Sequence, residues 1–247
     1  MAGPIEISKT QIDRLGDRLR SRDISDDDLR LLDDYRRSFT GAYRTVVGQI
    51  GDQLGLVATG RPEKTNTSII EKLRRQSIRL SQIQDIAGCR IVVPDILTQN
   101  EAIERLKTLF DRIEVDDRRE QPSHGYRAVH VIVENSGKLI EVQVRTSLQH
   151  LWAEVSEKLS GVVNASIKYG SGDQDILIIL NTMSQKIREQ ELAEAAHLRI
   201  MASDDTDEDE LFLEGPKLPG IMSGRLSIAR MLDAIAEVIR RMKGRNQ

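Results

Sequence analysis

The chain of 247 residues has the composition of a globular protein with an aliphatic core. Hydrophobic residues make up 39% of it, charged residues 30% and aromatic residues 3%, which argues against a disordered or membrane-embedded chain. The net charge of −3 gives no overall attraction to nucleic acid, so an anion site would need a local cluster of Arg and Lys.

Cysteine content and targeting signals narrow the class further. The single cysteine, Cys89, excludes an internal disulfide and a CxxC metal site. No apolar run approaches the roughly 20 residues of a membrane span, and the first residues lack the apolar segment of a signal peptide. We therefore expect a cytoplasmic protein.

The first part of the chain predicts helices over about residues 5–56. Ser25 followed by three aspartates supplies a helix cap and an acidic first turn. A break is expected over 55–62. A basic amphipathic helix then follows over 68–79, where Ser68 and Glu71 match the capping-box pattern S-x-x-E.

The middle of the chain predicts strands. Residues 86–93 form an apolar run that ends at Pro94, a short helix is expected over 100–110, and a strand over 112–116. Residues 126–134 and 138–146 alternate in polarity around Asn-Ser-Gly and predict a hairpin. Alternation places the side chains of Glu141, Gln143 and Arg145 on one face of the second hairpin strand. If the valine faces of the two strands coincide, Tyr126 and His130 lie on the same side as Glu141.

The last part of the chain again predicts helices. They are expected over 147–159, 173–201 and 226–242, with an acidic loop over 203–210 and a Pro- and Gly-containing linker over 215–224. This order of elements predicts an α+β fold with a mixed β-sheet flanked by helices and with N- and C-terminal helical extensions. We divide the chain into N-terminal helices (1–56), a core (57–160) and a C-terminal helical region (161–247).

Four clusters of residues have chemistry suited to a site. Arg61, Lys64 and Lys72 surround a predicted helix start, whose free amides favour anions such as a polyphosphate. The alternative for such a run is a solvated basic face. The second cluster centres on Asp85, which stands before a buried strand and would suit Mg²⁺ or would simply cap a turn.

The other two clusters lie on the predicted hairpin. Tyr126 would stack on a base, and His130 would contact phosphate or a hydroxyl, unless both are ordinary packing residues. Glu141 lies on the polar face of a central strand, where it needs a metal or a basic partner. The alternative for Glu141 is a surface pair with Arg145.

Taken in order, the clusters resemble the synthetase domain of the RelA/SpoT family. The family pattern R-x-x-K-x-x-x-S-I-x-x-K corresponds to 61–72, D-I-A-G-x-R to 85–90, G-Y-R-x-x-H to 125–130 and E-x-Q-x-R-T to 141–146. A helix containing Trp152 follows, so the resemblance covers about residues 55–160. It implies a nucleotidyltransferase-like domain that transfers pyrophosphate from ATP to a ribose 3′ hydroxyl and releases AMP.

The resemblance also implies a role for each matching residue. The ATP-binding residues would be Arg61, Lys64, Ser68, Lys72 and Arg90. Asp85 and Glu141 would hold Mg²⁺, and Glu141, Asp85, Arg145 and His130 would form the catalytic set. Tyr126, His124 and Gln143 would bind the acceptor.

Two departures bear on which branch of the family this chain resembles. It has no hydrolase pattern, so it looks like a small alarmone synthetase that makes (p)ppGpp from GDP or GTP. The family's K-x-N-G-Y is here Pro122-Ser-His124-Gly-Tyr126, and loss of the Lys and Asn favours an RNA acceptor, as in toxic small synthetases that modify the 3′ end of tRNA. A non-catalytic nucleotide-binding regulator is the third alternative.

The remaining expectations concern partners. Arg36, Arg37 and the basic C-terminus (Arg240, Arg241, Lys243 and Arg245) would supply phosphate contacts for RNA. A toxin would be accompanied by an antitoxin. The apolar stripe Ile228, Met231, Leu232, Ile235 and Ile239 would build a homo-oligomer or pack on its own domain, and the acidic loop 203–210 would fold over the ATP site as an inhibitor.

Overall fold

The computed structural model describes residues 8–163, 167–202 and 218–245. The N-terminal region contains three helices, α1 (Lys9–Leu19), α2 (Asp26–Arg37) and α3 (Thr40–Leu54). Ser25 caps α2 by accepting from the backbone amide of Asp28, as its sequence predicts. The acidic loop 203–210 and part of the expected linker lie outside the described residues.

Five strands form one mixed sheet in the order β1-β2-β5-β4-β3. The strands are β1 (Ala58–Arg61), β2 (Ala87–Val93), β3 (Ile113–Asp117), β4 (Val129–Asn135) and β5 (Lys138–Thr146). The hairpin of β4 and β5 is confirmed, although β4 begins at Val129 and not at Tyr126. Strand β1 was missed, because four mostly exposed residues at a sheet edge carry no apolar alternation.

The later helices are α4 (Asn66–Arg75), α5 (Ile96–Leu109), α6 (Ser147–Val162), α7 (Gln174–Ala202) and α8 (Leu218–Arg245), with 3₁₀ turns at Leu80–Gln82 and Ile167–Tyr169. The linker prediction was wrong from residue 218 onward, because α8 begins there and places Pro219 in its first turn. Proline is tolerated at that position since the amides of a first turn have no helical acceptor. The predicted α+β class is confirmed.

The chain divides into two compact units. The first comprises the chain up to Ile91 together with Arg105–Val115 and His130–Gln143, and the second comprises Val92–Glu104, Asp116–Val129 and the chain from Val144 onward. The first unit contains most of the sheet, and its core is aliphatic as composition predicts. Its largest fully buried side chains include Leu15, Leu32, Ile50, Ile69, Ile86, Ile91 and Ile140.

The second unit is built on the packing of α6, α7 and α8. Trp152 of α6 is buried in their core and donates its indole N–H to the carbonyl of Leu180 at 2.8 Å. Three members of the predicted apolar stripe, Ile228, Leu232 and Ile239, are buried in this same core. The stripe thus packs chiefly on its own unit, which is the second of the two alternatives raised by its sequence.

A buried carboxylate fixes the start of α6 against α7. Glu191 is 2% exposed and accepts hydrogen bonds from the hydroxyl of Thr146 and from the side-chain amide of Gln149 at 3.0 Å. Burial raises the pKa of Glu191, and the two hydrogen bonds offset this only in part. The carboxyl group of Glu191 therefore ionises at a lower pH in the unfolded chain than in the folded chain.

Glu191→Gln is expected to increase the free energy of unfolding at pH 7 by about 1 kcal/mol, since it removes the cost of burying a charge. Because the folded pKa is raised, that cost grows as pH rises above the usual glutamate range and is absent below it. The glutamine amide would donate to Thr146 and its carbonyl would accept from Gln149. Urea unfolding of both proteins at pH 4 and pH 7.5 measures the difference.

Glu189→Gln is the matched control, since Glu189 is an exposed residue of the same helix. It should leave stability within ~0.5 kcal/mol at both pH values. A destabilised Glu191→Gln protein at pH 7.5 would contradict this account of the network.

Candidate active site

Pairing of β1 with β2 places the basic segment beside Asp85. The two strands are antiparallel, with Arg61 opposite Gly88. Beyond the ladder, the backbone amide of Lys64 donates to the carbonyl of Ile86 at 2.7 Å. The loop after β1 is therefore tied to the residue that follows Asp85, although the two are about 20 positions apart in sequence.

Arg36 of α2 holds this loop from the other side. Its guanidinium donates to the carbonyl of Lys64, to Asn66 Oδ1 at 2.7 Å and to Asp33 Oδ1 at 2.6 Å, and it lies 3.4 Å from Glu63. The donors of Arg36 are thus engaged inside the first unit, which argues against the RNA-phosphate contact that we expected for it. Arg37 is exposed and pairs with Asp34.

Asp85 binds two lysines at once. Its Oδ2 accepts from Lys64 Nζ at 2.5 Å and its Oδ1 accepts from Lys72 Nζ at 2.8 Å. Burial alone would raise the pKa of Asp85, but the two ammonium groups outweigh it and hold that pKa below its usual value. Asp85 is thus an ionised carboxylate with two cationic partners. A residue that only capped a turn would not need these partners.

Glu141 is held by two neighbours on the polar side of the hairpin. Its Oε1 lies 2.9 Å from His130 Nδ1, and its Oε2 accepts from Gln143 Nε2 at 2.7 Å. Burial favours a higher pKa for Glu141, but these hydrogen bonds outweigh it and lower the pKa. The predicted shared face of His130 and Glu141 is confirmed.

Gly88 of β2 allows the neighbouring strand β5 to approach closely. A Cβ atom added there would lie 2.9 Å from the Glu141 carbonyl oxygen and 3.4 Å from Glu141 Cβ, so only glycine fits without a shift of β5. Directly opposite residues of antiparallel strands project to the same side. Arg61, Gly88 and Glu141 therefore line one face of the sheet, and alternation adds Arg90 of β2.

Ser68 has a different role from the predicted helix cap. Helix α4 begins two residues earlier, and Thr65 caps it by accepting from the amide of Ser68. The Thr65 hydroxyl also donates to Ser68 Oγ at 2.8 Å. Sequence reasoning chose the wrong member of a Thr-Asn-Thr-Ser run, in which every residue is a good cap.

In the second unit, Arg145 binds the ring of Tyr126. The guanidinium carbon lies 5.1 Å from the ring centroid, and Nη2 donates to the phenolic oxygen at 3.0 Å. The surface pair of Glu141 with Arg145 that we considered is therefore not the arrangement found in the described residues. The hydrogen bond and cation–π contact fix the ring orientation of the half-buried Tyr126.

A tight turn leads into Tyr126. The amide of Tyr126 donates to the carbonyl of Ser123 at 2.9 Å, and both central residues have positive φ, 52° at His124 and 84° at Gly125. These values belong to a type I′ turn, whose preferred sequence is Asn-Gly. A Cβ atom on Gly125 would lie 2.8 Å from Trp152 Cζ2, so glycine is also required for packing.

The turn explains one of the two replacements in the family's K-x-N-G-Y pattern. His is among the residues that adopt the left-handed conformation more readily than most, so His124 fills the Asn position of the turn. Its ring packs against Gly170, where a Cβ atom would overlap the imidazole. This packing gives His124 a conformational role in addition to any contact with an acceptor. Replacement of the family's Lys by Pro122 has no such explanation.

The carboxylates suit Mg²⁺ that arrives with phosphates. Among the described residues, no three His, Cys, Asp or Glu side chains converge as a metal cluster. Asp85 and Glu141 are two ionised oxygen donors close enough to influence each other electrostatically. Mg²⁺ commonly binds through one or two carboxylates and completes its shell with water and substrate phosphates, so this donor set fits it.

Comparison with known proteins identifies the segment that carries these residues. Residues 60–170 match the family described as the region found in RelA / SpoT proteins. The match spans less than half of the chain. The predicted resemblance is therefore confirmed for the part of the chain that contains both carboxylates, the paired lysines and Tyr126.

Relatives agree with this assignment. The chain is 36% identical over 117 residues to an uncharacterized protein of Mycobacterium tuberculosis, and the matched segment covers 46% of this chain and 43% of that protein. It is 39% identical over 116 residues to a GTP pyrophosphokinase of Bacillus subtilis, covering 41% of the chain and 54% of that protein. The chain thus spans less than half the length of the mycobacterial relative.

A solved structure supports the fold. The crystal structure of the small alarmone synthetase 1 from Bacillus subtilis superposes with a TM-score of 0.51 and 25% identity, covering 67% of this chain and 96% of that one. In the described residues of the chain, no helix combines the length and apolar character needed to cross a membrane.

Sequence reasoning assigned Arg36 to an RNA surface and missed that this residue, which lies outside the family blocks, positions Lys64 through its backbone. Arg36→Ala is expected to lower the free energy of unfolding by about 2 kcal/mol, since hydrogen bonds from a charged donor are lost from a mostly buried site. It should also weaken ATP binding several-fold, because the loop carrying Lys64 loses its anchor. Urea unfolding and calorimetric titration with ATP measure these effects.

Arg37→Ala is the control, because the exposed pair with Asp34 is worth under ~1 kcal/mol. Arg36→Lys should behave like the alanine variant, since an ammonium cannot reproduce the forked contacts. Equal effects of Arg36→Ala and Arg37→Ala would show that Arg36 does not position the loop.

Proposed function

We propose that the chain transfers pyrophosphate from ATP to the ribose 3′ hydroxyl of GDP or GTP, making (p)ppGpp and releasing AMP. The observation that carries the proposal is the placement in one unit of two ionised carboxylates that influence each other, Asp85 paired with Lys64 and Lys72, and Glu141. The Bacillus subtilis relative named GTP pyrophosphokinase supports the choice of reaction.

The donor ATP would be bound by the first unit. Lys64 and Lys72 would contact its phosphates as point charges, and Arg61 and Arg90 would offer forked donors from the face they share on β1 and β2. Ser68, in the first turn of α4, has a hydroxyl and lies near free helix amides. These amides and cations together suit a polyphosphate.

The reaction would join the acceptor 3′ oxygen to the β phosphorus of ATP as the bond from that phosphorus to the bridging α–β oxygen breaks. AMP leaves with the bond electrons, and the hydroxyl proton passes to the carboxylate of Glu141. Such transfers depend chiefly on positioning and charge neutralisation, and bound Mg²⁺ would supply the latter at Asp85 and Glu141. His130 and Gln143 would keep the Glu141 carboxylate oriented, which gives Gln143 a role other than the predicted acceptor contact.

The acceptor base would stack on Tyr126, whose ring orientation Arg145 fixes. Arg145 would also place positive charge near the acceptor phosphates. His124 would support this site mainly through the turn it forms. Its replacement of Asn therefore no longer favours an RNA acceptor. A free guanine nucleotide is thus the favoured acceptor.

A second candidate is a toxin that pyrophosphorylates the 3′ end of tRNA, accompanied by an antitoxin. Pro122 favours it, since a Lys at that position would suit the phosphates of a free nucleotide. Of the basic residues assigned to an RNA surface, Arg36 is engaged elsewhere, and the side chains of Arg240, Arg241, Lys243 and Arg245 lie outside the described part of the chain. A non-catalytic regulator is the weakest alternative, because both carboxylates are present and ionised.

An acceptor competition separates these functions. The protein would be incubated with Mg²⁺ and ATP labelled at the γ phosphate, in the presence of GDP, GTP and bulk tRNA together. Label is expected in a new guanine nucleotide. Label in tRNA would establish the toxin instead, and label in neither, with ATP bound, would favour the regulator.

Glu141→Gln should lower the transfer rate by at least ~100-fold, because the carboxamide cannot accept the hydroxyl proton. ATP should still bind, since Lys64 and Lys72 are paired with Asp85 and not with Glu141. Product formation would be followed by chromatography and ATP binding by calorimetry.

Glu134→Gln is the matched control on β4, where Glu134 pairs with Arg112 at the surface, and it should keep wild-type turnover. Wild-type turnover in Glu141→Gln would remove Glu141 from the mechanism.

A further inference from the structure

The paired lysines raise a question about how the donor site admits a nucleotide. The side chains of Lys64, Lys72 and Asp85 are only 14%, 20% and 25% exposed. They come from three separate segments, namely the loop after β1, helix α4 and the turn before β2. Both oxygens of Asp85 are engaged, one by each lysine. The two ammonium groups proposed to bind phosphates are therefore already bound to a carboxylate.

Lys64 and Lys72 contribute two positive charges, and Asp85 contributes the negative charge that pairs with both. A metal-free polyphosphate would have to separate the lysines from Asp85 and then lie beside that carboxylate without its partners. The negative charges of the phosphates and of Asp85 repel strongly in a partly enclosed site. Exchanging the contacts of the lysines with Asp85 for contacts with phosphate therefore gains little or no binding free energy.

A divalent cation changes the balance. When phosphates carry a cation that a carboxylate can also bind, the negative charge of Asp85 is compensated without the lysines. The ammonium groups can then turn to the phosphates, where they meet a new anionic partner. The same carboxylate would thus oppose one form of the nucleotide and favour the other.

We propose that Asp85 is a specificity-determining residue that makes the donor site selective for metal-bound ATP by keeping Lys64 and Lys72 paired until a divalent cation replaces them. The proposal rests on the function proposed above, since it assumes that this site binds ATP. It assigns to Asp85 an action on the lysines that is separate from holding the cation.

Calorimetric titration with ATP tests the proposal, once in EDTA and once in excess Mg²⁺. Wild-type protein should bind ATP in Mg²⁺ and far more weakly in EDTA. Asp85→Asn should bind ATP in EDTA about tenfold or more tightly than wild type does, because one opposing charge at ion-pair distance is gone. Its affinity should also depend much less on Mg²⁺.

Asp34→Asn is the matched control, since it makes the same change in net charge within the same unit but removes only an exposed pair with Arg37. It should behave like wild type in both titrations. Asp85→Ser removes the same charge with a shorter side chain and carries the test if the asparagine variant does not fold.

Amine labelling gives a readout independent of ATP. In Asp85→Asn, Lys64 and Lys72 should react faster with an acylating ester than in wild type, relative to the surface residue Lys158, as mapped by mass spectrometry. Unchanged labelling, or metal-free ATP binding no tighter than wild type, would overturn the proposal. Wild-type protein that binds no ATP even in Mg²⁺ would instead overturn the proposed function.

Discussion

The need to compensate two enclosed carboxylates determines how the first unit is arranged. An ionised carboxylate removed from water is costly unless charges or hydrogen-bond donors replace the lost solvent. Asp85 obtains them from Lys64 and Lys72, and Glu141 obtains them from His130 and Gln143. Lys64 and Lys72 lie 21 and 13 positions from Asp85, and Glu141 depends on the register of the hairpin for its contact with His130, so the sheet must form before either carboxylate is stable.

The contacts within this arrangement bear on the proposed catalysis. Donors and charges that are already in place need little reorganisation when the transition state forms. The backbone of Lys64 is fixed by Ile86 on one side and by Arg36 on the other. Stability and function therefore depend on the same contacts, and a change such as the loss of Arg36 affects both.

Much of the fold and site could be predicted from the sequence, for identifiable reasons. Strand β5 alternates clearly in polarity, so both its bounds and its polar face were correct. Strand β1 has no such pattern, since an edge strand of four residues buries little. The cap of α4 was misplaced because Thr65 and Ser68 are equally good cap residues. The role of Arg36 in holding the loop was missed because its partners include a backbone carbonyl 28 positions away, and no sequence pattern indicates such a contact.

His124 shows how the structure changes the weight of a sequence departure. From the motif alone, the replacement of Asn by His124 suggested a different acceptor. As a residue with φ of 52° in a type I′ turn, it is a conformational substitute. Of the two replacements in the K-x-N-G-Y pattern, only Pro122 then favours an RNA acceptor. The proposed stacking surface of Tyr126 and Arg145 would suit a free nucleotide equally well.

The central claim is that a pyrophosphate, and not a single phosphate, leaves ATP. Incubating the protein with ATP, Mg²⁺ and GTP and identifying the adenine product by mass spectrometry tests this claim most directly. The account predicts AMP in an amount equal to the GTP consumed and none when GTP is omitted. ADP as the adenine product, or AMP formed at the same rate without an acceptor, would contradict it.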